Sequence, residues 1–155
     1  MNLSKDFTLS EMVLSQTAAR EGIDNTPSEA VGEHLQELVT NLLQPIRDLL
    51  GVPIVVSSGY RSVELNASIG GVATSAHCYG YAADITAPAF GSPRALANWL
   101  VTNLPKHGIK WDQIIWEFGD WVHVAIKSAG GAQRGQVLTA KRVAGKAQYF
   151  SGITP

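Results

Sequence analysis

The sequence predicts an α+β fold in which helices come first and a mainly antiparallel sheet follows. Three observations support this fold class: apolar residues at helical spacing before residue 51, short strand-like stretches after it, and a length that suits one domain. The chain has 155 residues, of which 45% are hydrophobic, so it can bury a core without disulfides. We therefore expect a small single domain with N-terminal helices and a central sheet.

Two helices are predicted in the first 51 residues. The capping-box spacing over residues 8–11 predicts a short helix. Thr26 followed by Pro27 predicts the start of a long helix, whose apolar residues recur at helical spacing until Gly51 ends it. Pro45 lies inside this pattern and should bend the helix, because proline lacks a backbone donor and crowds the preceding turn. We expect the long helix to be the main element of the core.

Strand patterns and glycine-rich loops follow the long helix. The patterns predict a buried strand over 52–57, a strand over 81–86, a helix over 93–104, and a hairpin with strands over 113–117 and 121–126. Ser92 and Pro93 supply the start of the later helix. In the second hairpin strand Val122 and Val124 alternate with His123. His123 is therefore expected to point to the face opposite the aliphatic side chains.

The charge of the chain is nearly balanced overall and uneven along its length. Twelve basic and thirteen acidic residues give a net charge of −1, which argues against nucleic acid as a partner. Residues 1–120 hold all thirteen acidic and seven basic residues (−6), and the rest holds five basic ones (+5). We expect a core at about 7–127 and little regular structure in the basic, glycine-rich segment 128–155, which either attracts an anionic polymer or is simply a solvated face.

His77, Asp84 and His123 are polar residues in apolar or glycine-rich surroundings. Taken singly, each is more often a hydrogen-bonded or ion-paired residue of the core. An isolated carboxylate such as Asp84 in an apolar strand would be costly unless it were paired or bound to a metal. Together, two imidazoles and one carboxylate are a ligand set that Zn²⁺ prefers, and they leave the fourth tetrahedral position for water.

Several separated motifs occur in order along the chain. They are Ser58-Gly59-Tyr60-Arg61-Ser62, Asn66, Gly70-Gly71, Ser75-x-His77-x-x-Gly80-x-Ala82-x-Asp84 and Asp120-Trp121-Val122-His123-Val124. Together they resemble the M15 family of zinc peptidases, which contains D-Ala-D-Ala carboxypeptidases and dipeptidases and phage peptidoglycan endopeptidases. The resemblance spans residues 7–127. It implies a small α+β fold whose antiparallel sheet carries a zinc site.

The resemblance also implies a role for particular residues. The implied ligands of one Zn²⁺ per chain are His77, Asp84 and His123. Asp120, three residues before the last ligand, falls where the family has its catalytic acid or base. Arg61 falls where the family has an arginine that binds the substrate carbonyl and stabilises the oxyanion. Ser75 matches a residue that lines the substrate site.

Two further residues compete for roles at this site. Glu117 lies on the same hairpin as Asp120 and is the alternative acid or base; it could instead orient a ligand imidazole or form a salt bridge at the strand end. Cys78 directly follows a predicted ligand, and a thiolate there would close the coordination sphere. Because adjacent residues rarely turn both side chains to one ion, we expect Cys78 to be a small buried thiol.

These inferences predict a zinc-dependent peptidase that hydrolyses the peptide stems or cross-links of bacterial peptidoglycan. The chain lacks a stretch of about 18 apolar residues and a secretory signal, so membrane insertion is not expected. This favours a monomeric phage endolysin, made in the host cytoplasm, that acts on the periplasmic cell wall after membrane permeabilisation. The alternatives are a bacterial D-Ala-D-Ala carboxypeptidase or dipeptidase, and a non-catalytic wall-binding module on the same fold.

Overall fold

The computed structural model of the protein describes residues 1–127 and 131–155. Its helices are α1 (Leu9–Val13), α2 (Gln16–Glu21), α3 (Glu29–Leu38), α4 (Gln44–Leu50), α5 (Val63–Ser68) and α6 (Pro93–Asn103). Its strands are β1 (Val55–Ser58), β2 (Ala82–Thr86), β3 (Gln113–Glu117), β4 (Trp121–Ala125), β5 (Gln136–Val143) and β6 (Lys146–Ser151). This order confirms the α+β fold class. Within the described ranges, no helix is both long and apolar enough to cross a membrane.

The long helix is continuous from α3 to α4 through a π-helical turn, Val39–Leu43. It begins two residues later than predicted, because the Ser28 hydroxyl accepts a hydrogen bond from the first turn and caps it. The predicted bend at Pro45 is observed as this π-helical turn, which is wider than an α-helical turn and ends at Gln44, just before the proline. A π turn gives room to a residue that cannot donate a backbone hydrogen bond.

The six strands form one sheet in the order β1-β2-β4-β3-β5-β6. Neighbouring strands are antiparallel except β3 and β5, which are parallel, so the predicted mainly antiparallel sheet is confirmed. One face packs against the long helix and α6. The core residues on that face of the central strands are Ala83, Ile85, Ile114, Val122 and Val124. The opposite face carries Asp84 and His123 and forms the floor of an open cavity.

The prediction of little regular structure over 128–155 is wrong for most of this segment. Residues 136–151 form the β5–β6 hairpin, and β5 pairs with β3 from Gln113↔Gln136 to Glu117↔Ala140. Every residue of β6 is exposed, so this strand lacks the buried apolar face by which alternation is recognised. The free edge of β3 supplies the hydrogen bonds that order this segment. Residues 128–130 of the predicted segment lie outside the described part of the chain.

Candidate metal centre

Two central strands bring Asp84 and His123 together. Strands β2 and β4 are antiparallel, and Asp84 is the direct cross-strand partner of His123. Directly opposite residues of an antiparallel pair project to the same face of the sheet. Both side chains therefore point into the cavity, while their neighbours Ile85 and Val122 point into the core. The prediction that His123 lies opposite the aliphatic side chains is confirmed.

His77 reaches the same place from a 3₁₀ turn, Ala76–Tyr79, that precedes β2. The Ser75 hydroxyl accepts a hydrogen bond from the His77 backbone N–H (3.2 Å) and caps this turn. The His77 ring donates from Nδ1 to the Gly59 carbonyl oxygen (2.7 Å). Gly59 itself lies so close to α1 that a Cβ there would be 2.3 Å from the Met12 carbonyl oxygen. A glycine is therefore needed where the carbonyl that orients His77 is held.

The three predicted ligands meet in a nearly equilateral triangle. Each pair among His77 Nε2, Asp84 Oδ1 and His123 Nδ1 is separated by 3.2 Å. A tetrahedral zinc ion with bonds of about 2.0–2.1 Å holds its ligand atoms about 3.3 Å apart. Because Nδ1 of His77 already donates to Gly59, Nε2 keeps a lone pair for the ion. The residues present therefore fit Zn²⁺.

Burial and mutual contacts shift the pKa values of His77 and Asp84. The exposed fractions of His77, Asp84 and His123 are 1%, 6% and 8%. Burial lowers the pKa of His77, although Asp84 opposes that shift, which favours the neutral imidazole that binds metals. Burial by itself would raise the pKa of Asp84, but the two imidazoles hold that pKa far below its ordinary value. Two neutral imidazoles and one carboxylate would leave a bound Zn²⁺ with about one net positive charge.

The thiol of Cys78 does not belong to this group. Among the described residues, the side chains whose ligand atoms lie within 4.8 Å of one another are His77, Asp84 and His123. Burial raises the pKa of Cys78, which disfavours the thiolate that a metal requires. The sequence predicts Cys78 to be a small buried thiol that does not bind the metal; it lies outside the ligand group, but it is only partly buried.

A cavity of about 1440 Å³ opens above the three ligands. Arg61 and Ser75, both predicted site residues, line it on the side of the 3₁₀ turn. The guanidinium of Arg61 donates from Nη1 to Oδ1 of the buried Asn66 (3.2 Å). The backbone N–H of Arg61 donates to the His77 carbonyl oxygen (3.1 Å). These bonds fix the direction of Arg61 relative to the metal centre.

Glu117 lies within the same cavity beside the ligands. Its Oε1 is 3.6 Å from His123 Nδ1 and accepts a hydrogen bond from Trp121 Nε1 (3.3 Å). Burial is the main reason why the pKa of Glu117 is raised, and the negative charge of Asp84 adds to the shift, while His123 and Arg61 oppose it. A carboxylate with a raised pKa, held close to a metal ligand, is suited to accept and return a proton.

Asp120 is not brought into this cavity. It lies in the exposed turn between β3 and β4, where it lines a separate, smaller hollow. Glu117 is the last residue of β3, whereas Asp120 belongs to the turn that follows, where Phe118 and Gly119 have positive φ angles. Asp120 is three residues from His123, whereas Glu117 pairs with Trp121, which is two residues from His123 and shares its face. Alternation of side chains along the two predicted hairpin strands would have shown from the sequence that Glu117 shares the face of His123.

The fold and the site define a zinc peptidase: a helix-backed antiparallel sheet holds two histidines and one aspartate at the floor of a cleft that also contains an arginine and a carboxylate. The chain belongs to the peptidase M15 family, whose sequence profile, described as Peptidase M15, matches residues 5–125. A zinc D-Ala-D-Ala carboxypeptidase of Streptomyces albus G is 46% identical over 50 residues, 32% of this chain and 20% of that protein. The match thus spans about a fifth of that relative's length.

Proposed function

We propose that this protein is a phage endolysin-type peptidase that hydrolyses peptide bonds within bacterial peptidoglycan. The observation that best supports this proposal is the lining of the cleft around the metal centre. The cavity that holds the metal ligands is also lined by the loop that contains Gly70 and Thr74 and by the β5–β6 hairpin. A large open cavity with lining from both of these segments suits an internal bond of an extended peptide better than a chain end.

Each residue of the cleft has a place in this hydrolysis. Zn²⁺ held by the three ligands would polarise the scissile carbonyl and lower the pKa of water at the site. Glu117 accepts the proton of the attacking water and delivers it to the departing amide nitrogen. Arg61 donates to the oxygen on which negative charge develops, and Asn66 holds its guanidinium in place. Ser75 borders the substrate and caps the turn that carries His77.

A second candidate function is that of a D-Ala-D-Ala carboxypeptidase. The relative from Streptomyces albus G carries this description and is 46% identical over 50 residues. In this alternative, the same metal centre and Glu117 would act on the last bond of a peptide stem, and the released product would be free D-alanine. We favour the internal bond because the β5–β6 hairpin adds further lining to the cavity that holds the metal ligands.

The proposal includes the place of action. We propose that the enzyme accumulates in the host cytoplasm and reaches peptidoglycan in the periplasm once another protein permeabilises the membrane. Lysis of cells that make the protein only when a membrane-permeabilising protein is produced with it would support this. Lysis by the protein alone would show that it reaches the wall by another route.

Digestion of purified sacculi tests the activity. The zinc-loaded protein should release peptide fragments with new internal amino groups, and mass spectrometry of those fragments identifies the bond. His123→Ala serves as the inactive control. Free D-alanine as the sole product would establish the carboxypeptidase instead, and intact sacculi that retain bound protein would indicate a non-catalytic wall-binding module.

A further inference from the structure

The β5–β6 hairpin borders the catalytic cleft although it lies outside the residues, 5–125, that match the family. Five of its residues line the cavity that contains the metal ligands: Gln136, Leu138, Arg142, Ala147 and Tyr149. This part of the cleft is therefore supplied by a segment that the family match does not cover. The side chains of this hairpin can therefore give this chain a substrate preference of its own.

Strand register shows that the hairpin continues the face of the sheet that carries the site. Trp121 pairs with Glu117, Glu117 with Ala140, and Ala140 with Tyr149, which gives one row across four strands. Arg142 lies two residues beyond Ala140 and therefore on the same face. Strand spacings of about 4.8 Å and a rise of about 3.3 Å per residue put the Cα of Arg142 roughly 8 Å from that of Glu117.

The cations of this region differ in whether a carboxylate already neutralises them. Arg134 is engaged by Asp112, with Nη2 2.8 Å from Oδ2 and Nε 3.0 Å from Oδ1. Within residues 1–127 and 131–155, Arg142 forms no ion pair, and its guanidinium lies over the Phe118 ring at 4.2 Å. Stacking on a ring leaves the N–H groups at the edge of the guanidinium available to a ligand.

We infer that Arg142 binds a carboxylate of the substrate peptide and makes the enzyme prefer acidic stems. This inference rests on the proposed peptidase function. An extended peptide advances about 3.3 Å per residue, and an arginine side chain adds its own reach. The recognised carboxylate therefore lies about two or three residues from the scissile bond. Arg142 is a specificity residue here, and it takes no part in proton transfer.

Two synthetic stem peptides test this inference. They are identical except that the acidic residues carry free carboxylates in one peptide and carboxamides in the other. Binding to the zinc-loaded protein is followed by tryptophan fluorescence in a stopped-flow instrument before turnover, and hydrolysis is followed separately. We expect the wild type to bind the carboxylate peptide about tenfold more tightly, as a charge-assisted contact of about 1.4 kcal/mol gives.

Arg142→Ala should reduce this preference to about one while leaving affinity for the carboxamide peptide unchanged. Arg142→Gln keeps most of the side chain over Phe118 and should also lose the preference if the charge is what matters. Lys141→Ala is the matched control, because it removes the same charge from the adjacent residue, whose ammonium lies over the Phe150 ring. Lys141→Ala should retain the tenfold preference.

The outcomes separate this inference from the proposed function. A preference that survives in both Arg142 variants, or that is absent from the wild type, overturns the carboxylate contact even if both peptides are hydrolysed. Selective binding without hydrolysis of either peptide supports the carboxylate contact and contradicts the peptidase proposal. Loss of the preference in Lys141→Ala would show that net charge, and not the position of Arg142, is responsible.

Discussion

Asp84 and His123 are 39 residues apart in the chain and face each other directly across strands β2 and β4, with Oδ1 and Nδ1 3.2 Å apart. Two ligands are thus fixed by the hydrogen-bond ladder at the centre of the sheet. The third, His77, is fixed by a turn and by the Gly59 carbonyl. This division makes the metal centre depend on both the sheet and the close contact between Gly59 and α1.

Replacement of His123 should remove the metal and the stability that it supplies. We expect about one zinc ion per chain in the wild type and almost none in His123→Ala, measured by elemental analysis. Binding that saturates a site stabilises the folded state, so chelation should lower the melting temperature of the wild type by about 5 °C or more. His107→Ala changes an exposed histidine and should keep both zinc and chelator response. Equal zinc in all three proteins would contradict the assignment.

Exchange of Glu117 for glutamine should separate metal binding from catalysis. Loss of a positioned acid or base lowers kcat by about 10²–10⁴-fold, so Glu117→Gln should show that loss on peptidoglycan fragments while retaining zinc. The matched variant Asp120→Asn removes the neighbouring carboxylate, which lies in the exposed turn. We expect it to retain most of the activity. The reverse pattern would assign proton transfer to Asp120, as the family resemblance implies.

A methyl group at residue 59 should damage both the fold and the metal centre. The Cβ of Gly59→Ala would lie 2.3 Å from the Met12 carbonyl oxygen, and the resulting backbone shift would move the carbonyl that orients His77. We expect a loss of about 1–3 kcal/mol in the free energy of unfolding and at least tenfold weaker zinc binding, measured by urea denaturation and zinc titration.

Gly32→Ala is the control for that experiment. Gly32 lies within α3, and a Cβ there would meet nothing within 4 Å. Alanine is favoured over glycine inside a helix by up to about 1 kcal/mol, so this variant should be as stable as the wild type or more so. Unchanged zinc affinity in Gly59→Ala would show that His77 is oriented by other contacts.

The Asp112–Arg134 ion pair should make the free energy of unfolding depend on pH in the acidic range. Burial by itself raises the pKa of Asp112, but hydrogen bonds from the Arg134 side chain and backbone outweigh it and hold that pKa below its ordinary value. The stabilisation is therefore present above the pKa of the unfolded carboxyl, about 3.9, and is lost as pH falls through the lower folded value.

Unfolding of the wild type and Arg134→Gln between pH 7 and pH 2 tests this dependence. The variant should be less stable at neutral pH, and the difference in free energy of unfolding should shrink as Asp112 becomes protonated. Arg20→Gln is a control, since the Arg20 side chain bonds the Thr17 hydroxyl rather than a carboxylate. A difference that stays constant across the pH range would mean that the ion pair does not govern the pKa of Asp112.

Local sequence signals predicted much of the fold. The Ser92 cap and Pro93 mark the start of α6, and the hairpin strands agree with β3 and β4 to within one residue. Period-two alternation also identified the face on which His123 lies. The short helices α2 and α5 were not predicted, because helices of about six residues contain too few turns to show a periodic pattern.

Chemical identity and order along the chain determined the nature of this protein: the ligand types, their motifs and the family are all present in the sequence. Tertiary structure decided which distant parts of the chain share the cleft. It brought the turn of His77 and the Gly59 carbonyl to the sheet, and it ordered the basic C-terminal segment as the hairpin that brings Arg142 to the cavity. The physical reason is that strand pairing joins residues distant in sequence, and the edge of β3 that orders β5 exists only once the sheet has formed.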